Sequence, residues 1–307
     1  MEFALINQLK SSCPPDTRLN LGIGDDCALL PQNNQYESVF TTDMLLDGVH
    51  FRTEHDSLER IARKSLAVNI SDIAAMAATP LTAFISLAIP RSWSSQQAQA
   101  LFRELANAAS HFEISIAGGD TNTWNHPLAI NVLLYGSVPA GQAILRSGSQ
   151  IGDLICVSGP LGGSILEKQF SFQPRVKEAQ WLRQNAAIHA MIDISDGLLA
   201  DLGHLLEARH LGAELFCEKI PIAPAALSLS DQLSPLEHAL TDGEDFELLW
   251  TVSRQDYDRL MQLPERPLDI FSIGSIIEES GCFLVDANGT RTQRECRGFE
   301  HQLQDAP

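Results

Sequence analysis

Aspartates recur along this chain in short polar turns set against apolar runs: Asp25 and Asp26 in GIGDDCALL, Asp43 after Thr42 in TTD, Asp72 in NISDIAAM, Asp120 in AGGD, and Asp193 and Asp196 in DISDG. Neighbouring carboxylates at the edge of a core repel one another and lose hydration, which raises at least one pKa and calls for something positive nearby. Hard oxygen ligands of this kind suit Mg²⁺, which retains waters and also coordinates substrate phosphates. Taken singly, each aspartate is first a helix cap or a turn organiser. Their shared position at strand and helix ends is what points to several loops converging on one magnesium-phosphate cleft.

No P-loop pattern GxxxxGK[ST] occurs, so phosphate would be met by a different device. AGGD at 117–120 and SGPLGG at 158–163 can turn backbone N–H groups toward oxyanions, and Arg146 in ILRSG can add a charged fork. Ordinary tight turns explain both glycine runs equally well. His50 in DGVHF is a packed or surface histidine, or a contact to a substrate phosphate or ring. Glu244 in GED either begins a strand or faces a ligand, and Phe299 in RGFEH is tail packing or a platform for a planar ring.

The six cysteines stand at positions 13, 27, 156, 217, 282 and 296, with no CxxC pair and no compact His/Cys set. They read as reduced, mostly packed thiols, which places the chain in the cytoplasm. Thirty-nine acidic against 21 basic residues give a net charge of −18, which disfavours nucleic acid as a partner. Neither a signal peptide nor a membrane span is read, since no 18 consecutive apolar residues occur.

The elements that must hold these acids follow from periodicity. Residues 36–43 read as a strand. Helical spacing then sets Ala62, Leu66, Ile70, Ile73 and Ala77 on one face, with Pro80 as the stop and with Asn69 and Asp72 projecting together. A strand from 81, a helix from 94 and a strand from 127 follow, and SIAGGDTNT at 115–123 interrupts that succession. The polar, glycine-containing passage after it predicts a boundary near 140, giving domains 1–139 and 140–307. The second half restarts with strands at DLICVSG and IHAMID, a helix burying Leu198, Leu202, Leu205 and Leu206, later strands at DFELLWTVS and DIFSIGSII, and a hairpin at DANGT, 286–290.

The ordered set GIGDDCALL, TTDMLLDGVHF, KSLAVNISDIAAMAATP, AGGDT, ILRSG, DISDGLLADLGHL and DGEDFEL resembles the thiamine-monophosphate kinase family, over about residues 20 to 300. The resemblance implies an α/β (α+β) chain with the two-domain aminoimidazole ribonucleotide synthetase-like fold, mixed sheets with packed helices. Residues 1–139 would bind ATP and Mg²⁺ and form a homodimer, and 140–307 would complete the active site. It implies several Mg²⁺ ions on Asp26, Thr42, Asp43, Asp72, Asp120, Asp193 and Asp196, some through main-chain oxygen or water. ATP contacts fall on Gly119, Asp120, Arg146 and Ser195, and thiamine monophosphate contacts on His50, Glu244 and Phe299; Asp43, Asp120, Asp193 and Arg146 carry catalysis, while Asp25 orients its turn. The implied reaction is direct in-line transfer from ATP to thiamine monophosphate, giving thiamine diphosphate. The passage 161–191 is shorter than the family commonly has, which leaves the acidic core intact and bears on the second-domain lid or the substrate pocket. An ATP-dependent enzyme of the same superfamily with another small substrate, or a noncatalytic nucleotide-binding regulator, are the alternatives.

Overall fold

Between residues 36 and 46, Val39, Thr41 and Leu45 are buried while Thr42 and Met44 are exposed, the period of a strand with one face on a core. In the computed structural model, which describes residues 2–13, 16–207 and 209–299, this segment is β2 (Tyr36–Leu46). With β1 (Ala28–Pro31), β3 (Thr79–Pro90), β4 (Ser115–Trp124) and β5 (Ala129–Pro139) it forms a sheet in the order β1-β2-β5-β3-β4. Only the β3–β4 pair is parallel. Helices α1 (Glu2–Ser12), α2 (Leu58–Ala75) and α3 (Ser95–His111) belong to this half, and α2 and α3 share its core with the sheet.

The expected helix face is present: Ala62, Leu66, Ile70 and Ile73 are buried on α2. Its stop is not Pro80, which lies inside β3. The chain leaves the helix at Ala77, whose φ of 53° is left-handed. Ala77 N–H bonds to Ala74 O and Ala78 N–H to Ile73 O, the paired bonds of a Schellman turn with alanine where glycine is usual. α3 begins with a capping box, Ser94 and Gln97 exchanging side-chain and backbone bonds.

The segment 115–123 is not an interruption but most of β4. A Cβ on Gly119 would lie 1.8 Å from the carbonyl oxygen of Ile85 on β3, so its glycine permits a close strand approach next to a bulge at Ala83/Phe84.

A second sheet runs β12-β11-β8-β10-β6-β9-β7. Its strands are β6 (Leu154–Val157), β7 (Ile188–Asp193), β8 (Gly212–Phe216), β9 (Leu248–Val252), β10 (Phe271–Ile277), β11 (Gly281–Val285) and β12 (Arg291–Arg294). Beside it stand α4 (Lys168–Ser171), α5 (Val176–Asn185), α6 (Leu198–Glu207), α7 (Pro224–Ser228), α8 (Pro235–Thr241) and α9 (Arg254–Gln262). The leucines named above are buried on α6, and β11 and β12 form the expected hairpin over 286–290. Helix α2 packs on α4, α5 and β7, so one helix of the first half is wedged against the second. Cys27, Cys156 and Cys282 are buried, Cys217 is half-buried, and Cys13 and Cys296 are exposed, so only half of these free thiols are packed. Among the described residues no helix is long and apolar enough to cross a membrane.

Candidate active site

Helix α2 is the backbone of the site. Asn69 Oδ1 accepts the Asp43 amide (3.1 Å), which docks β2 onto the helix, and Thr41 Oγ1 donates to Asp72 Oδ2 (2.5 Å). One residue before Asp72, Ser71 Oγ donates to Asp193 Oδ2 (2.5 Å), fixing the end of β7 to the same turn. The product of these contacts is a cluster: Asp26, Asp72 and Asp193 each offer a carboxylate oxygen, all within 4.8 Å of one another.

The paired acids of the first turn divide their work. Asp25 accepts two backbone amides, from Asp26 (3.0 Å) and Arg146 (3.0 Å), and so shapes the turn. Asp26 points inward, and the positive partner expected from the sequence is Arg146, whose Nη2 meets Asp26 Oδ1 at 2.5 Å. Asp26 Oδ2 is buried without a hydrogen-bond partner. Burial, with Asp26 adding repulsion, pushes Asp25 up to about 6 and Asp193 up to about 7. Burial and then Asp196 push Asp43 up to about 6. Asp72 is held well above the usual carboxylate range by burial and by Asp43, Asp193 and Asp26 in turn. An orphaned buried oxygen amid crowded, all-oxygen donors fits a hard divalent cation such as Mg²⁺.

These shifts set a sign. With folded-state values above the ordinary 3.8, Asp43 and Asp193 favour the fold when protonated, a contribution complete below that value and lost as pH rises through about 6 to 7. A cation requires the deprotonated form. Titration calorimetry is therefore expected to show Mg²⁺ affinity climbing between about pH 5.5 and pH 8, with protons released on binding at the acidic end. Constant affinity over that interval would remove these acids from the ligand set.

Next to the cluster lies a cavity of about 620 Å³ between the two halves. Asp43, Asp72, Ser195 and Asp196 line one part of it, and His50, Glu244 and Phe299 also face it. The DISDG turn ties these walls together. Asp201 Oδ2 accepts the amides of Ser195, Asp196 and Gly197 at 3.0, 3.1 and 3.2 Å, while Ser195 O receives the Glu244 amide and Asp196 O the Phe299 amide. His50 Nδ1 accepts the Leu46 amide (3.0 Å), which puts the proton of the neutral ring on Nε2.

Other expected residues stand elsewhere. The Thr42 hydroxyl lies on the opposite face of β2 from Asp43, against Asn131 Oδ1 at 3.3 Å, so only the Thr42 main chain can join the cluster. Gly119 and Asp120 sit on the edge strand β4, separated from β2 by β3 and β5, about 14 Å away by strand spacing. There Asp120 is exposed, accepts from Asn122 Nδ2 (2.7 Å) and borders a separate depression of about 250 Å³. The paired glycine amides of SGPLGG are not open to phosphate: Gly162 N–H donates to Asp245 Oδ2 (2.8 Å) and Gly163 N–H to Asp242 Oδ2 (2.7 Å). Sequence reasoning passed over Thr41, Ser71, Asp201 and Lys64. Lys64, Val68 and Asp72 all line the cavity, and their spacing of four along α2 is the signal that could have found Lys64.

This arrangement has relatives. Residues 24–138 match the AIR synthase related protein, N-terminal domain, and 140–287 its C-terminal domain. Thiamine-monophosphate kinase of Rhodopirellula baltica is 36% identical over 310 residues, covering 98% of this chain and 97% of the relative. A crystal structure of thiamine-monophosphate kinase from Stenotrophomonas maltophilia is 35% identical, with a TM-score of 0.73 over 92% of this chain and 96% of that one. The structure described as AaThiL complexed with AMPPCP and TMP superposes with a TM-score of 0.81 at 26% identity, covering 96% and 95% of the two chains. With both halves matched in order and the likeness running nearly end to end, the chain belongs to the thiamine-monophosphate kinase family of AIR-synthase-related proteins.

Proposed function

We infer that the chain is an ATP-dependent phosphotransferase, a thiamine-monophosphate kinase that converts thiamine monophosphate and ATP to thiamine diphosphate and ADP. The observation that carries this reading is the single turn joining an acid cluster with Arg146 to a cavity faced by His50, Glu244 and Phe299. Mg²⁺ bound on Asp26, Asp43, Asp72 and Asp193, with Asp196 beside them, would supply charge neutralisation at the nucleotide phosphates. Arg146 and Ser195 hold and orient ATP at that end. His50 and Glu244 offer polar contacts and Phe299 a ring face to the acceptor. Phosphomonoesters have a second pKa near 6, so the acceptor is largely ionised at neutral pH and no side chain needs to remove a proton. Direct in-line transfer follows, without a phosphorylated enzyme. The measurement is product-resolved: ADP and thiamine diphosphate are expected in equal amounts and only with Mg²⁺, whereas ADP without thiamine diphosphate would overturn the reading.

Residues 1–139 are proposed to hold ATP and Mg²⁺ and to pair two copies, with 140–307 completing the cleft. Support comes from the outer face of the first sheet, where Tyr36, Met44, Leu81 and Phe84 are exposed, and from the β4 edge, which has no strand partner beyond β3 among the described residues. Such a face and edge invite pairing. A second copy there is also the route by which Gly119 and Asp120 reach an acid cluster. Mixing inactive Asp120→Ala and Asp43→Asn chains is expected to restore part of the activity; no recovery, or a monomeric mass, counts against the pairing.

A further inference from the structure

Lys64 is 1% exposed, yet it faces the cavity from α2 two turns before Asp72, about 12 Å along the helix. Its Nζ reaches three acceptors: the His50 carbonyl at 2.7 Å, Gln169 Oε1 at 2.8 Å and Glu244 Oε1 at 2.6 Å. Those contacts use all three N–H groups of an ammonium, leaving none for a ligand phosphate. The Phe170 ring lies 5.0 Å from Nζ. Glu244 is thereby held at both ends. Its backbone takes a left-handed φ of 63° with its amide on Ser195 O at 2.7 Å, and its carboxylate is pinned through Oε1 while the side chain stays 29% exposed.

We propose that Lys64 is a positioning residue for acceptor specificity, acting through Glu244 and the His50 loop and touching neither substrate nor metal. This rests on the reading that Glu244 and His50 contact the acceptor's ring end. Burying an ammonium is costly, and an apolar side chain of similar length would serve packing as well or better. What the ammonium adds is direction and charge balance. A carboxylate already paired with a buried cation selects a ring amine that donates one hydrogen bond over a second full positive charge. Because the same rigid helix carries Lys64 and Asp72, the ring end and the phosphate end of the cleft are set at a fixed separation.

The test is a double-mutant cycle on the full chain with Lys64→Met, Glu244→Gln and the pair, reading KM for thiamine monophosphate and for ATP separately. Lys64→Met is expected to raise KM for thiamine monophosphate about tenfold or more and to leave KM for ATP within about twofold, since a hydrogen bond to a charged group is lost at one end only. In the Glu244→Gln background the same change should add less than about twofold. Equal rises in both KM values, or effects that multiply independently, overturn the proposal. Should Lys64→Met fail to fold, Lys64→Gln is read by the same criteria. A wild-type chain that binds thiamine monophosphate without phosphorylating it overturns the functional reading alone, and calorimetric binding by the same variants still decides for or against Lys64.

Discussion

An Asp72→Asn variant is expected to transfer phosphate about 10²- to 10³-fold more slowly at saturating ATP, the range found when one preorganised electrostatic group is removed, while the metal-free chain melts at a higher temperature than the parent. The opposite signs come from one geometry. Asp72 faces Asp26, Asp43 and Asp193 at once, and all three push its carboxyl toward the neutral form. Asparagine keeps an oxygen for the Thr41 hydroxyl, so the contact between α2 and β2 survives. What disappears is an ionisable carboxyl, which removes the cost of burying it among other acids in the empty cluster and weakens the cluster as a cation site. Thermal melts with and without Mg²⁺ separate the two effects: the parent should gain stability from Mg²⁺ and the variant much less. A lower metal-free melting temperature together with an unchanged Mg²⁺ midpoint would make Asp72 a structural residue.

Part of this site was legible because Asp43 and Asp72 lie on strongly periodic elements. Apolar spacing along α2 puts Ala62, Leu66 and Ile70 inward, and that pattern by itself orients Asn69 and Asp72. Period two along β2 could have gone further, since it sends Thr42 and Asp43 to opposite faces. Local signals failed where the cause was remote. Gly118 and Gly119 have the composition of a turn, yet the carbonyl of Ile85 is what demands a glycine on β4. SGPLGG looks like an anion cradle until Asp242 and Asp245, some eighty residues later, occupy its amides. The GAELF strand β8 was passed over altogether: five residues entered through a turn whose left-handed residue is His210 carry too little pattern, and its place is set by pairing with β10 and β11.

The largest loss of stability is expected at Arg146, whose guanidinium is the counter-charge of Asp26 across 120 residues of sequence. Arg146→Met should lower the unfolding free energy by about 3–5 kcal/mol at neutral pH without Mg²⁺, the usual cost of stripping one partner from a buried pair. Local geometry makes that cost hard to escape. The Asp26 side chain is 0% exposed, its Oδ2 already lacks a partner, and removing Arg146 leaves Oδ1 bare as well. The turn itself should persist, because the amide of residue 146 still donates to Asp25 whatever its side chain. Two further results would separate charge from packing. Adding Asp26→Asn to Arg146→Met should recover most of the loss, since a neutral amide tolerates burial better than an unpaired carboxylate. Mg²⁺ should recover part of it by giving Asp26 a new counter-ion, yet turnover should stay low if Arg146 is, as proposed, the charged fork for the nucleotide phosphates. Urea unfolding of both variants with and without Mg²⁺ decides the matter: a loss under about 1 kcal/mol that Mg²⁺ does not alter would fit a solvated surface pair and would remove Arg146 from the electrostatic frame of the cluster.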